Sequence, residues 1–253
     1  VIMAALIGAI IWNLFTWWRG IPSSSSHALI GGLIGASIVY TAGTENIIWS
    51  GVFEKVVVPL FTSPIMGFLI GFLFMKSIFK IFIKWSQRKV NKVFLKLQIF
   101  SSAFVAFSHG NNDAQKTMGI ITLALITGGI LDESTGVPLW VKFTCAITMA
   151  LGTSLGGWKI MKTMGGSVTK LEPSSGFAAQ TTSAIVIESM TFFGAPVSTT
   201  QVITTSIMGV GSAKRVTSVK WGIAQNIAVA WILTLPVAMI LGGCACWLIG
   251  YMV

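Results

Sequence analysis

The chain has 253 residues, of which 54% are hydrophobic and only 9% charged, with a mean hydropathy of +0.82. That excludes an ordinary soluble core and predicts an all-α integral membrane protein. The formal net charge of +10 does not indicate nucleic acid, because the basic residues cluster between apolar runs, as in cytoplasmic loops.

Residues 1–41 open on VIMAALIGAIIW, with neither an initiating Met nor a basic flank, and read as starting inside a membrane segment. They end on the side where they began, which predicts a helical hairpin. The run 56–75 then crosses inward and closes a first unit, 1–75. Seven Lys and Arg between Lys76 and Lys96 make 76–97 a basic cytoplasmic loop. Residues 98–131 return outward. As one helix they would be about 51 Å long, too long for one straight crossing. A break is expected near 108–113, where Gly110, Asn111 and Asn112 favour unwound backbone.

The run 139–158 goes inward, followed by Lys159, Lys162 and Lys170. Residues 172–213 begin and end inside and form a second hairpin. After Lys214, Arg215 and Lys220, residues 219–249 lead outward with Pro236 as an expected kink. The second unit is then 98–253. Connections around Glu45 and Asp132–Glu133 are acidic and face outward. Cys145, Cys244 and Cys246 lie in apolar runs and read as packing residues.

The hairpins are related in sequence. GIPSSSSHALIGGLIGA (20–36) aligns without gaps to GAPVSTTQVITTSIMGV (194–210): Gly20 with Gly194, Pro22 with Pro196, Ser24 to Ser26 with Ser198 to Thr200, and Gly35 with Gly209. Entered from opposite faces, they constitute an inverted-topology repeat, an architecture of secondary transporters. Whether the hairpins cross fully or stop at mid-membrane does not follow from loop charge.

Each tip reads as a helix start. Pro22 and Pro196 stop any helix from continuing through, and the hydroxyl residues after them suit N-cap and first-turn positions. A helix N-terminus offers free N–H donors and partial positive charge, so Ser24, Ser25, Ser26, Ser198, Thr199 and Thr200 are candidate ligands of a tetrahedral oxyanion. Capping alone would also explain these hydroxyls.

The segment FSHGNNDAQKTMG (107–119) places ionisable groups between apolar runs. A charge costs about 2.5–3.5 kcal/mol at the centre of a membrane helix on insertion scales, so such groups line a site or pathway. Asp113 and Asn112 are candidate coupling-ion residues, for Na⁺ as a metal site or for H⁺. Lys116 either pairs with Asp113 or approaches the anion. His109, Gln115, Gln180 and Glu188 are possible lining residues, and His27 reads as structural.

These residues resemble the inorganic phosphate transporter (PiT) family, bacterial type. Gly110–Asn111–Asn112–Asp113 matches that family's second Gly-x-Asn-Asp signature. Gly20 to His27 matches its first Gly-x-Pro-x-Ser-x-x-His hairpin motif, and Gly194 to Gln201 the second, except that Gln201 stands in place of His. The first Gly-x-Asn-Asp copy is missing, which fits an absent N-terminal stretch. Gln180 stands where an acidic residue is expected. The resemblance implies a homodimeric multi-pass carrier in the bacterial inner membrane that moves inorganic phosphate with Na⁺ or H⁺ and needs no other cofactor. In it Ser25, Ser26, Thr199 and Thr200 hold phosphate, and Asn112 and Asp113 serve the coupling ion. Sulfate is the alternative substrate and a passive anion channel the alternative mechanism. An enzyme ranks last, since Ser26–His27 and Ser108–His109 are only chain neighbours.

Overall fold

The computed structural model describes residues 1–194 and 197–252, so Pro196 of the second tip lies outside the described residues. Helix α1 (Ile2–Arg19) turns into α2 (Ser25–Thr41). A short α3 (Trp49–Val52) continues through a π-helical turn (Phe53–Val57) into α4 (Val58–Ile81). Then come α5 (Gln87–Thr127), α6 (Leu139–Leu155), α7 (Trp158–Lys162), a π-helical Thr163–Val168, α8 (Pro173–Phe192), α9 (Thr199–Lys214) and α10 (Trp221–Met252). Among the described residues there are only helices and their connections.

Helices Ile2–Arg19, Trp49–Ile81, Gln87–Thr127 and Trp221–Tyr251 are each long and apolar enough to cross a bilayer. Leu139–Leu155 with Trp158–Val168 is a fifth candidate, bent by 63°. Large side chains such as Ile10, Leu14, Phe100 and Ile240 stay exposed, as lipid-facing residues do.

Helix α5 corrects the expected break. It runs for 41 residues without interruption through 108–113, about 62 Å at helical rise. Its first turns extend beyond the apolar stretch and carry Arg88, Lys89 and Lys92, while Val90 and Phe94 join a buried apolar cluster in which the Phe94 ring meets Phe82 and Phe177 edge-on. Gly110 within the helix costs about 1 kcal/mol relative to Ala, and the local polar side chains find partners without unwinding. The basic segment 76–97 is therefore mostly helix, and its connection is confined to 82–86.

The backbone break falls instead at Gly156–Gly157, where φ of Gly157 is +98°, a region open to Gly. Lys159 and Lys162 then lie on a bent helical segment rather than in a loop, and Lys159 Nζ donates to Trp18 O at the first tip. Helix α10 continues through Pro236 to its end.

The two hairpins are built and packed alike. Gly20 (φ +69°) ends α1, its amide donating to Trp17 O and that of Ile21 to Thr16 O, a Schellman closure. Gly194 takes φ +66° after α8. Helix α2 packs on α10, and α9 packs on α4. At both contacts a glycine meets the neighbouring backbone: Gly35 against Met239 O, and its sequence counterpart Gly209 against Phe68 O. Backbone-to-backbone approach of this kind needs small residues. Each hairpin thus leans on the other unit's last helix.

Candidate functional site

The two tips begin their second helices with matching caps. Ser24 Oγ accepts from the His27 amide at 3.2 Å, and Ser198 Oγ accepts from the Gln201 amide at 3.3 Å. The first intrahelical bonds are Ala28 N to Ser24 O and Val202 N to Ser198 O. The amides of Ser25, Ser26, Thr199 and Thr200 therefore have no acceptor within their own helices. Both starts carry the positive end of a helix dipole.

Helix α5 brings a stripe at i, i+3, i+4 and i+7 between them: His109, Asn112, Asp113 and Lys116. Asp113 Oδ1 accepts from Asn112 Nδ2 at 3.1 Å and from Lys116 Nζ at 3.2 Å. Asp113 Oδ2 accepts from Thr199 Oγ1 at 3.2 Å and lies 3.6 Å from His109 Nε2. Lys116 Nζ also donates to Ser26 Oγ and to Val197 O, each at 2.7 Å. One ammonium thus joins the first tip, the second tip and the Asp113 carboxylate. Asn112 donates to Val197 O as well, at 3.1 Å. A carbonyl and a carboxylate can only accept, so Asn112 presents its NH₂ rather than its oxygen to this cluster.

The convergence limits the hairpin depth that loop charge left open. Tips entering from opposite faces and both crossing fully would stand about 30 Å apart, the thickness of the hydrocarbon. They are joined by a single side chain, so both cannot be full crossings. Helix α9, at 16 residues, is only about 24 Å long.

A cavity of about 760 Å³ opens beside this cluster, bordered by Ser25, Ser26, Thr200, His109, Asp113 and Lys116. Ser24, Ser198 and Thr199 are buried, the first two as caps and the third as the donor to Asp113. Three expected lining residues do not border the cavity. Gln115 is exposed and donates to Asn111 Oδ1 at 2.8 Å. Gln180 sits between α8 and α5, accepting from Ser101 Oγ at 2.6 Å. Glu188 is half-buried on α8, with Oε1 unpartnered among the described residues. His27 is buried on α2, with Nδ1 unpartnered among the described residues.

Sequence reasoning missed three contributors. Thr144 and Thr148 of α6 line the far wall, and their i, i+4 spacing was a readable signal. The Val197 carbonyl carried none, because a backbone acceptor has no side chain to announce it.

The phosphate transporter family profile matches residues 1–242. The chain belongs to the phosphate transporter family. It is 48% identical to a "Probable low-affinity inorganic phosphate transporter" of Bacillus subtilis (strain 168), over 97% of this chain and 73% of that protein. A protein of the same name from Rhizobium meliloti (strain 1021) is also 48% identical, over 95% and 72%. A solved structure described as "The sodium-dependent phosphate transporter" superposes with a TM-score of 0.83 over 99% of this chain and 79% of that one, at 24% identity. That likeness establishes the fold. Family membership and the helices together make this a multi-pass membrane protein, and the family is one of transporters, not enzymes.

Proposed function

We propose that this chain forms the substrate path of a secondary carrier for inorganic phosphate, coupled to a cation, Na⁺ or H⁺, at Asp113. The observation that carries this reading is the meeting of two helix N-termini on the Lys116–Asp113 pair. Free amides of Ser25, Ser26, Thr199 and Thr200, with the hydroxyls of Ser25, Ser26 and Thr200, supply neutral donors to a tetrahedral oxyanion, which allow release as well as binding. The ammonium adds the opposite charge beside them. Asn112 supports Asp113 by hydrogen bonding to it. A homodimer in the bacterial inner membrane is the setting we propose, as the sequence resemblance implies.

Uptake of radiolabelled phosphate into proteoliposomes tests the reading. Asp113→Asn abolishes gradient-driven uptake, and undiminished uptake in that variant removes the coupling role. Sulfate, also tetrahedral, is the second reading, because helix N-termini alone do not separate the two anions. Competition by excess sulfate leaves phosphate uptake intact if phosphate is the substrate. Flux that ignores every ion gradient would instead identify a channel.

A further inference from the structure

A hard-cation site in a carrier is made of oxygens: a carboxylate, a hydroxyl and a backbone carbonyl brought in from separate elements. That donor set exists here. Asp113 Oδ1 comes from α5, Ser26 Oγ from the first tip, and Val197 O from the second, and all three face one atom, Lys116 Nζ, at 3.2, 2.7 and 2.7 Å. The cation in this cage is part of the chain. The anchor of its side chain is fixed, because Lys116 lies one turn beyond Asp113 on the unbroken α5. Asn112 points its NH₂ at Asp113 Oδ1 and Val197 O, so the residue expected to lend an oxygen to a sodium ion presents hydrogens. Thr199 likewise donates to Asp113 Oδ2.

We infer that the Lys116 ammonium is the resident cation of the oxygen cage between the two tips, so that Na⁺ does not bind there and phosphate transport by this chain is independent of sodium. The inference rests on the transport reading above and names its cation specificity. A sodium ion placed about 4 Å from the ammonium would lose about a thousandfold in affinity through repulsion alone, at the effective dielectric usual for protein charge pairs. It would also have to take oxygens the ammonium already holds. The solved structure named for sodium dependence shares only 24% of its sequence with this chain, so its ion does not transfer with its fold.

The test compares the intact protein with Lys116→Asn, which replaces the ammonium by a neutral oxygen donor. Lys116→Met, of similar length, serves as a second variant should the first not fold. Phosphate uptake is measured with sodium and with choline outside, and sodium-dependent thermal stabilisation is measured on the purified protein. The intact protein is expected to transport equally in both media and to show no sodium shift. The variants are expected to transport at least about tenfold faster in sodium than in choline, about 1.4 kcal/mol of sodium-linked stabilisation, and to gain a sodium shift. Sodium-dependent uptake or a sodium shift in the intact protein overturns the inference, as do folded variants that gain neither response. Absence of phosphate uptake by the intact protein in both media fails the transport reading instead, and the sodium shifts still decide the cation question by themselves.

Discussion

The pair at the centre of the site makes a quantitative prediction about stability. Lys116 and Asp113 side chains are only 17% and 14% exposed, with Nζ and Oδ1 3.2 Å apart. At that distance and an effective dielectric of 20, the pair's attraction is roughly 5 kcal/mol before desolvation is charged against it. Asp113→Asn keeps the side-chain shape and an acceptor for Thr199 but leaves the ammonium with Ser26 and Val197 alone. Stranding a buried charge in this way costs about 3–5 kcal/mol, and the surviving acceptors place this case near the low end. Lys116→Met strands the carboxylate with Asn112 and Thr199 as its donors, at a similar cost.

For a chain of this length each kcal/mol moves Tm by roughly 2–4 °C, so each single substitution lowers Tm by about 10 °C. The double variant carries no stranded charge and should fall by less than either single one. The cycle therefore yields a coupling of about 3–6 kcal/mol. It is measured by thermal unfolding of purified protein in detergent, in sodium-free buffer, so that no external cation takes the ammonium's place. Additive losses in the double variant, or single-variant shifts under about 2 °C, would show that the two charges are not each other's main partner.

Two further outcomes test the scaffold. Gly35→Ala drives a methyl group into Met239 O on α10, whereas Gly110→Ala meets no neighbouring atom within 4 Å. The first should lower stability by about 1–3 kcal/mol or more through overpacking, and the second should raise it by up to about 1 kcal/mol through helix propensity. Parallel unfolding curves check both. Trp231→Phe removes the bond of 2.9 Å to Pro22 O, leaving a buried carbonyl unpaired at about 1–3 kcal/mol, and it loosens the first tip. Weaker phosphate binding in a filter assay is expected, and unchanged affinity with lowered Tm would confine Trp231 to stability.

What could be read without coordinates was what depends on neighbours in the chain. Apolar composition dictates membrane helices, since lipid leaves a backbone few ways to satisfy its polar groups. Gly20 and the serines after Pro22 encode a helix end followed by a helix start within six residues, and the same pattern at 194–200 declared the repeat. Length and glycine content misled at α5. The argument for a break assumed that the whole apolar stretch must fit between two interfaces, whereas the helix simply continues beyond it. Two glycines decided the bend elsewhere, at Gly156–Gly157, where only the approach of the bent segment to the first tip makes the turn useful.

The relation between tips belonged to tertiary structure alone. Ser26 and Val197 are separated by most of the chain, and nothing local states that one ammonium spans them. That contact exists because Gly35 and Gly209 let each hairpin seat deeply on the opposite unit's last helix, which sets where both tips stop. Backbone hydrogen bonds and side-chain periodicity act over one or two turns, so sequence determined the helices and their caps. The close approach of distant backbones depends on the summed packing of every helix between them, and this placed Lys116 in the cage.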